Sequence, residues 1–348
     1  MKKILLVKLS SMGDLIQMFP ALTDASQALP GIQFDWLVED SFKEIPVLHP
    51  GINKIITLPY RRWKKEGVSW QEIKKFLSQL RNQRYDMVID AQSNLKSALL
   101  TLFAKGKKYG LDKKSVREYG AHLVYQKKAT ISRTQNHGDR MRQLMAAFLN
   151  YPMPQTIANY GIVKENLPAL DFELPQRFIF INHLCSSKMR LWPEPYWAHV
   201  IDDLLKSGYE IVMPWWTDEE KERLYRLKKD HTKVHAMPPL NLPRKASVLA
   251  RATAAIGLDT GLSHMAASLD TPNICLYGAT SAEFTGTVGK NQIHLNAKGL
   301  SCIPCLRMSC HYQGESQYNL PCMETIKPEQ VLQAFYKLMH NINSSEIA

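Results

Sequence analysis

The chain has 348 residues, and no apolar run in it approaches the ~20 residues that a membrane-spanning helix needs. It has no G-x-G-x-x-G turn and no G-x-x-x-x-G-K-[ST] loop, so dinucleotide redox and P-loop ATPase chemistry lose their usual phosphate cradles. It shows no internal repeat and no low-complexity tract. Acid is scarce at one end. Residues 1–160 hold 13 Asp and Glu against 25 Lys and Arg, while the remainder has 19 of each, so the whole net charge of +12 sits in the first half. That half should attract an anion or an anionic surface. Nucleic acid, a phosphorylated sugar and acidic lipid head groups all qualify, and the plainer alternative is a solubilising surface. The start, Met1 to Val7, looks briefly like a signal peptide. Lys8 breaks the apolar run and no small-residue cleavage site follows, so it reads as a first strand of a cytoplasmic protein.

The remaining composition, 45% hydrophobic and 22% charged, is that of a soluble globular protein, and the length suits two domains. The first half alternates strands (Ile4–Lys8, Phe34–Val38, Lys54–Leu58, Asp86–Asp90) with helices (Asp14–Leu29, Trp70–Arg81, Leu95–Ala104), then a basic helix near Asp139–Leu149. Pro20 should kink or reset the first helix. The segment 166–175 has two prolines and no period, as a linker does. Alternation then restarts, with strands at Phe178–Asn182, Glu210–Met213, Ala254–Leu258 and Asn273–Tyr277. Helices are expected at Pro193–Lys206, Asp218–Lys229, Leu242–Ala252 and Gly261–Leu269. Such alternation argues for parallel sheets covered on both faces. Its recurrence predicts an α/β protein of two doubly wound domains, 1–165 and 176–326, facing across a cleft. A last helix in 327–348 would pack back on the first.

Four groups of residues carry chemistry. Ser10-Ser11-Met12-Gly13-Asp14 follows the first strand, where an open parallel sheet gathers ligands. Asp14 is either a helix cap or a general base, with Ser10, Ser11 and Gly13 letting the backbone approach a substrate. Asp259-Thr260-Gly261-Leu262-Ser263-His264 is a second strand-to-helix turn. Its backbone N–H groups, two hydroxyls and an imidazole suit a phosphate, although it also reads as an ordinary helix entry. Arg61-Arg62-Trp63-Lys64-Lys65, with Lys8, Arg117, Arg140 and Arg142, offers forks for carboxylate or phosphate, and Trp63 could stack on a base, pack on a sugar or lie at a lipid interface; the plainer reading is a solvated loop with one packed aromatic. Finally Cys302, Cys305, Cys310 and Cys322 have spacings that suit a structural zinc or iron site, or free thiols in a folded loop. Cys185 and Cys275 read as packing residues.

These residues resemble a known family, the inverting ADP-heptose heptosyltransferases of lipopolysaccharide core assembly. The resemblance is carried by Val7-Lys8, Ser10 to Asp14, Pro20 to Ala25, Phe34-Asp35-Trp36, Arg61-Arg62-Trp63 and Val88 to Gln92. It continues through Trp192-Pro193-Glu194, Pro214-Trp215, Asp259 to His264, Pro272-Asn273-Ile274 and Tyr277-Gly278. It implies a GT-B fold, with the acceptor on the first Rossmann-like domain and the sugar nucleotide on the second. It implies transfer of heptose from ADP-heptose to Kdo of Kdo–lipid A at the inner face of the inner membrane, with no cofactor required and no nucleic-acid partner. Asp14 would be the base. Thr260, Gly261 and His264 would meet the diphosphate, with Asp259 on the heptose, Glu220 at the ribose and Leu240 by the adenine. Lys8, Arg61, Arg62, Lys64 and Arg117 would face the acceptor. The chain departs from the family at two places. Paired threonines and a lysine by the phosphates are replaced by Cys185 and Ser186 with Arg190, and Lys188 lies nearby. The cysteine-rich tail also departs, and looks more like other branches of the family. A transferase for a later core heptose or another sugar is the nearest rival, and a nucleic-acid-binding protein with a metal knuckle the remote one.

Overall fold

The computed structural model describes residues 2–307 and 309–347. The chain divides into two units between Glu165 and Asn166. The first holds β1 (Lys3–Val7), α1 (Met12–Ile16), α2 (Phe19–Ala28), β2 (Gln33–Glu39), β3 (Ile52–Leu58), α3 (Tyr60–Glu66) and α4 (Trp70–Arg81). It continues with β4 (Arg84–Asp90), α5 (Leu95–Phe103), β5 (Lys105–Leu111), β6 (Lys127–Ala129) and α6 (His137–Leu149). The second holds β7 (Phe178–Asn182), α7 (Glu194–Lys206), β8 (Glu210–Pro214), α8 (Asp218–Lys228), β9 (Val234–Met237), α9 (Leu242–Arg251) and β10 (Ala254–Leu258). After it come α10 (Gly261–Ser268), β11 (Asn273–Tyr277), α11 (Ala282–Thr285), β12 (Gln292–Asn296), α12 (Pro321–Glu324) and α13 (Pro328–Ile347). No helix among the described residues is long and apolar enough to cross a membrane.

Each unit contains one six-stranded parallel sheet. The orders are β3-β2-β1-β4-β5-β6 and β12-β11-β10-β7-β8-β9, the same doubly wound topology twice. The central strands are buried on both faces, which is why Ile4 to Val7 and Phe178 to Ile181 read as continuous apolar runs rather than alternating ones. In such a sheet the chain turns opposite ways after the first and fourth strands, and the crevice opens at their carboxyl ends. That places a ligand edge beside β1 and β4 in the first unit, and beside β7 and β10 in the second.

Several expectations change. The helix expected over Asp14–Leu29 is two helices. Pro20 lies in the first turn of α2, where its missing N–H costs nothing, so a new helix starts there. The lysine-rich segment after α5 forms β5 and β6, which local propensity does not favour. Gly106 makes β5 possible, since it sits at φ +146° and a Cβ there would lie 2.5 Å from the Tyr85 carbonyl oxygen. Trp63 is not a free stacking surface: its ring packs edge-on against Phe76 at 5.8 Å and joins the apolar layer under the sheet. The last helix is built into the second unit. Val331, Leu332, Phe335 and Leu338 share a core with Trp192, Trp197 and Ile211, and the Trp192 indole N–H donates to the Ile326 carbonyl at 2.9 Å.

Candidate active site

The first ligand edge is built by the chain after β1 and β4. Asp90, fully buried at the end of β4, organises it. Its Oδ1 accepts the Gln92 and Ser93 N–H groups at 2.9 Å each, and its Oδ2 accepts Ser97 Oγ at 2.8 Å and the Tyr125 hydroxyl at 2.7 Å. Burial pushes the Asp90 carboxyl above its ordinary range against these donors. The loop so held presents Gln92, whose Oε1 accepts the Leu9 and Ser10 N–H groups at 3.0 and 3.3 Å. The turn after β1 is thereby held to the turn after β4.

Asp14 stands in the first turn of α1. Its Oδ2 accepts the Ser11 N–H at 2.9 Å and Ser11 Oγ at 3.2 Å, so it does serve as part of a capping box. Its other oxygen lies 3.7 Å from His137 Nε2, and its side chain remains 31% exposed. Cap and base are compatible roles here, because only one oxygen is used by the cap. Burial alone would raise the Asp14 pKa. The charges of His137 and Lys8, with the Ser11 N–H, outweigh that, and the carboxyl stays below its ordinary value. Lys8 is 1% exposed, donates to the Ala91 carbonyl at 3.2 Å and lies 3.0 Å from His137 Nε2. Burial lowers its pKa to about 8, against the pull of Asp14 and Asp90. Asp14, His137 and Lys8 therefore form one contiguous group, which can take a proton at Asp14 and place positive charge beside it.

The other expected residues of this unit occupy the same carboxyl edge of the sheet in different states. Arg117 is exposed, its N–H donating to the Ser93 carbonyl at 3.1 Å, and its charge reaches both Asp14 and Lys8. Arg61, in the first turn of α3, pairs with buried Glu39 at 2.8 Å. Arg62 is paired with Glu72, and Lys64 is exposed. His137 escaped the sequence reading. The signal was Asn136, whose side chain accepts the Gly138 N–H at 2.9 Å and starts α6 two residues before the expected Asp139, putting His137 at the helix entrance.

The second ligand edge lies after β7 and β10. Asn182, the last residue of β7, donates from Nδ2 to Thr260 Oγ1 at 2.7 Å, and its Oδ1 is buried without a hydrogen-bond partner among the described residues. Asn182 was also not foreseen, because asparagine at a strand end carries no distinctive pattern. Thr260 is the N-cap of α10, yet its side chain makes no capping bond, so the first-turn N–H groups are uncapped by it. Since Thr260 Oγ1 accepts from Asn182, its own proton is left for another acceptor. An uncapped helix start with an adjacent hydroxyl donor suits a phosphate. Ser263 does not contribute: its hydroxyl is spent on the Leu258 carbonyl at 2.7 Å. His264 is buried in the first turn of α10, and Asp259 accepts from Thr285 Oγ1 at 3.3 Å.

The remaining expected donor-side residues all follow strands at this same edge. Ser186 is exposed after β7, and Arg190 is half-buried. Lys188 pairs with Glu219 at 2.6 Å, both well exposed, which leaves it free to exchange partners. Glu220 completes the capping box of α8, its Oε2 accepting the Trp216 and Thr217 N–H groups at 2.8 and 3.1 Å. Leu240 is half-buried between β9 and α9.

The cysteines do not form the expected metal site. Among the described residues no three or more His, Cys, Asp or Glu side chains gather to hold a metal. Cys302 and Cys310 are exposed, whereas Cys322 is buried in the core of the second unit. Burial raises the Cys322 pKa to about 11, and the charges of Cys305 and Cys310 add to the rise. The expected zinc or iron site is therefore not supported among the described residues.

Known proteins match this arrangement over nearly the whole chain. The crystal structure of E. coli heptosyltransferase WaaC with ADP aligns with a TM-score of 0.84 and 36% identity, covering 97% of this chain and 99% of that one. WaaC with ADP-2-deoxy-2-fluoro heptose aligns at 0.82, again at 36% identity, over 96% and 99%. The class is thus a glycosyltransferase of GT-B architecture. Lipopolysaccharide heptosyltransferase 1 of Pseudomonas aeruginosa is 41% identical over 317 residues, which is 89% of this chain and 88% of that protein. The protein of the same name in E. coli K12 is 41% identical over 295 residues, 84% and 92% of the two chains. The profile of glycosyltransferase family 9 (heptosyltransferase) matches residues 73–315, and the chain belongs to that family.

Proposed function

We propose that this enzyme moves L-glycero-D-manno-heptose from ADP-heptose to a hydroxyl of Kdo on Kdo–lipid A, with inversion, in assembly of the lipopolysaccharide inner core. The observation that carries the reading is the pairing of two unlike edges in one chain. One edge offers an ionised carboxylate with one oxygen outside the cap, facing His137, and the other a helix start not capped by Thr260, beside that residue's hydroxyl proton. The names of the relatives, and the ADP and fluoro-heptose analogue bound by WaaC, supply the donor and sugar.

The chemistry follows from the residues. The ADP pyrophosphate lies on the α10 N–H groups and the Thr260 hydroxyl, with Arg190 and Lys188 supplying positive charge and Ser186 a further donor. His264 supports this turn, Gly261 lets the backbone approach, and Asp259 meets a heptose hydroxyl. Glu220 faces the ribose and Leu240 the adenine. On the first unit Arg117, Arg61, Arg62 and Lys64 meet acceptor carboxylates and phosphates, while Ser10, Ser11 and Gly13 shape the turn beside the attacking hydroxyl. That oxygen forms a bond to the anomeric carbon as the bond to the diphosphate oxygen breaks on the opposite face. Its proton passes to Asp14, and the electron pair leaves with ADP. A carboxylate of low pKa is adequate as the base, because the hydroxyl becomes acidic only as its new bond forms. Lys8 and His137 hold Asp14 ionised and oriented. The helix start and the fixed cations offset the charge that grows on the leaving diphosphate. Because the acceptor is a lipid, the enzyme works at the anionic inner face of the inner membrane, to which the +12 first half is suited.

Product mass spectrometry after incubating the enzyme with ADP-heptose and Kdo–lipid A tests this reading. A mass increment of one heptose on the Kdo-bearing lipid is expected. Transfer only to an acceptor that already carries heptose, or a preference for a UDP- or GDP-sugar, overturns it in favour of a later transferase.

A further inference from the structure

A surface helix ordinarily turns its apolar stripe inward and its polar face to water. Helix α5 departs from this. Its buried positions are Ser97, Ala98, Leu100 and Thr101, of which Leu100 joins the core, yet Leu95, Leu99, Leu102 and Phe103 are 56, 54, 53 and 37% exposed. These four fall at i, i+4, i+7 and i+8, one side of the helix. Part of the reason lies beneath: Ser97 Oγ is needed by Asp90, so only Ala98 and Leu100 of the inner face are left for apolar packing. The stripe is widened by the 3₁₀ turn Ala121–Val124, which packs against α5. A Cβ on Gly120 would lie 3.2 Å from a Leu95 methyl, so the turn comes close, and Tyr119 and Leu123 beside it are 80 and 75% exposed. Contiguous apolar side chains of this extent on a water-facing surface mark a binding face.

Positive charge borders the stripe. Leu102 also lines a groove of about 530 Å³ with Arg81, Arg84, Lys105, Lys107 and Lys108, and no carboxylate lines it. Arg81 donates to the Phe103 carbonyl at 3.2 Å, which fastens the groove to the end of the helix. At the other end Lys96 lies over the Tyr60 ring at 4.0 Å. A second copy of the chain would set these cations against their own kind. A layer with hydrocarbon below and anionic groups above matches both parts.

We propose that the outer face of α5, with Tyr119 and Leu123, is the element that inserts into an anionic lipid surface, and that the Arg81–Lys108 groove takes the phosphates of its head groups. The inference rests on the reading of a lipid acceptor, and it names the surface that reading leaves open. Helix α5 starts directly after the β4 loop that holds the Ser10 turn, so a helix lying flat on the membrane sets its N-terminal end, and the acceptor edge there, beside the lipid, with the groove at its other end.

The test is flotation of the full-length protein with vesicles of phosphatidylcholine, alone or mixed with phosphatidylglycerol. Two variants are compared with the parent, L99S/L102S and K105Q/K107Q. All four positions are exposed or half-exposed, and circular dichroism checks that the variants fold. The parent should float with the mixed vesicles and far less with the neutral ones. L99S/L102S should lose at least about tenfold in vesicle binding, and K105Q/K107Q should bind more weakly with a shallower salt dependence. Heptosyl transfer to a detergent-dispersed acceptor should be unchanged in both. A parent that floats with neither vesicle overturns the proposal, as does an L99S/L102S variant that floats like the parent. A parent that is dimeric, while L99S/L102S is monomeric, overturns it in favour of an interface between copies. Absence of transfer in detergent would instead refute the proposed reaction, and leaves the flotation result to decide the surface independently.

Discussion

Asp14 is tied to the fold through one oxygen, and the proposed reaction uses the other. Its Oδ2 is held by Ser11 and its Oδ1 lies toward His137. Asparagine keeps an acceptor for the Ser11 N–H but cannot take a proton. Asp14→Asn should therefore fold normally and lose about 10²-fold or more in kcat, with the KM for ADP-heptose little changed, as steady-state kinetics will report. A parent-like kcat would remove Asp14 from the mechanism. Lys8 makes a second, separable prediction. Its folded pKa of about 8 lies below the 10.5 of an unperturbed lysine. Between those values the unfolded chain holds a proton that the folded chain has released, so this group makes stability rise with pH from about 8 to 10.5. Lys8→Met abolishes that contribution. Urea unfolding at two pH values inside the window should show the parent gaining stability relative to the variant as pH rises. Asp14 and Thr260 stand out in the sequence because a polar residue after an apolar strand and before a helix does so in any α/β chain. His137 and Asn182 were not, since each gains its meaning from a partner 123 and 78 residues away, respectively.

Among elements, the strands buried on both faces were read most accurately. β7, β10 and β11 lie at the expected residues, as does α4, whose Ser69 and Glu72 form a capping box. Their signals are local: a short apolar run, or an amphipathic period with its cap. β5 and β6 were invisible because Lys105-Gly106-Lys107-Lys108 has the composition of a loop, and only pairing with β4 imposes the extended form. The contact between α2 and α6 is likewise long-range. It carries a buried pair, Arg142 Nε to Asp24 Oδ2 at 2.7 Å, with both side chains 5% exposed. The same guanidinium donates to the Pro154 and Thr156 carbonyls at 3.2 Å each. Asp24→Ala leaves that charge buried without its counter-ion and should destabilise the first unit by about 3–5 kcal/mol in chemical denaturation. Asp24→Leu with Arg142→Met should recover much of the loss, since two apolar side chains remove the desolvation cost of both charges. If the single change is neutral, the pair does not hold α2 to α6.

For the whole molecule, the charge is uneven, and under the proposed reaction it would separate the two substrates. The excess of 12 positive charges lies within residues 1–160, and the rest is neutral. Raising salt should therefore lower kcat/KM for a membrane-presented acceptor while leaving the KM for ADP-heptose nearly unchanged. Equal sensitivity of both would show that charge does not sort the substrates. Local pattern was enough for the alternation of buried strands and helices, the proline-bearing segment after residue 166, the polar turns at Asp14 and Thr260, and the basic half. Each of these is written in neighbouring residues, through hydrophobic period, capping chemistry and composition. Tertiary structure alone decided which turns became ligand edges, because the switch points exist only where β1 meets β4 and β7 meets β10. It also decided that Lys8 is buried beside His137, that Cys322 is a core thiol, and that the leucines of α5 face outward. Burial and ionisation depend on what distant chain segments bring alongside, and contiguous sequence does not encode that.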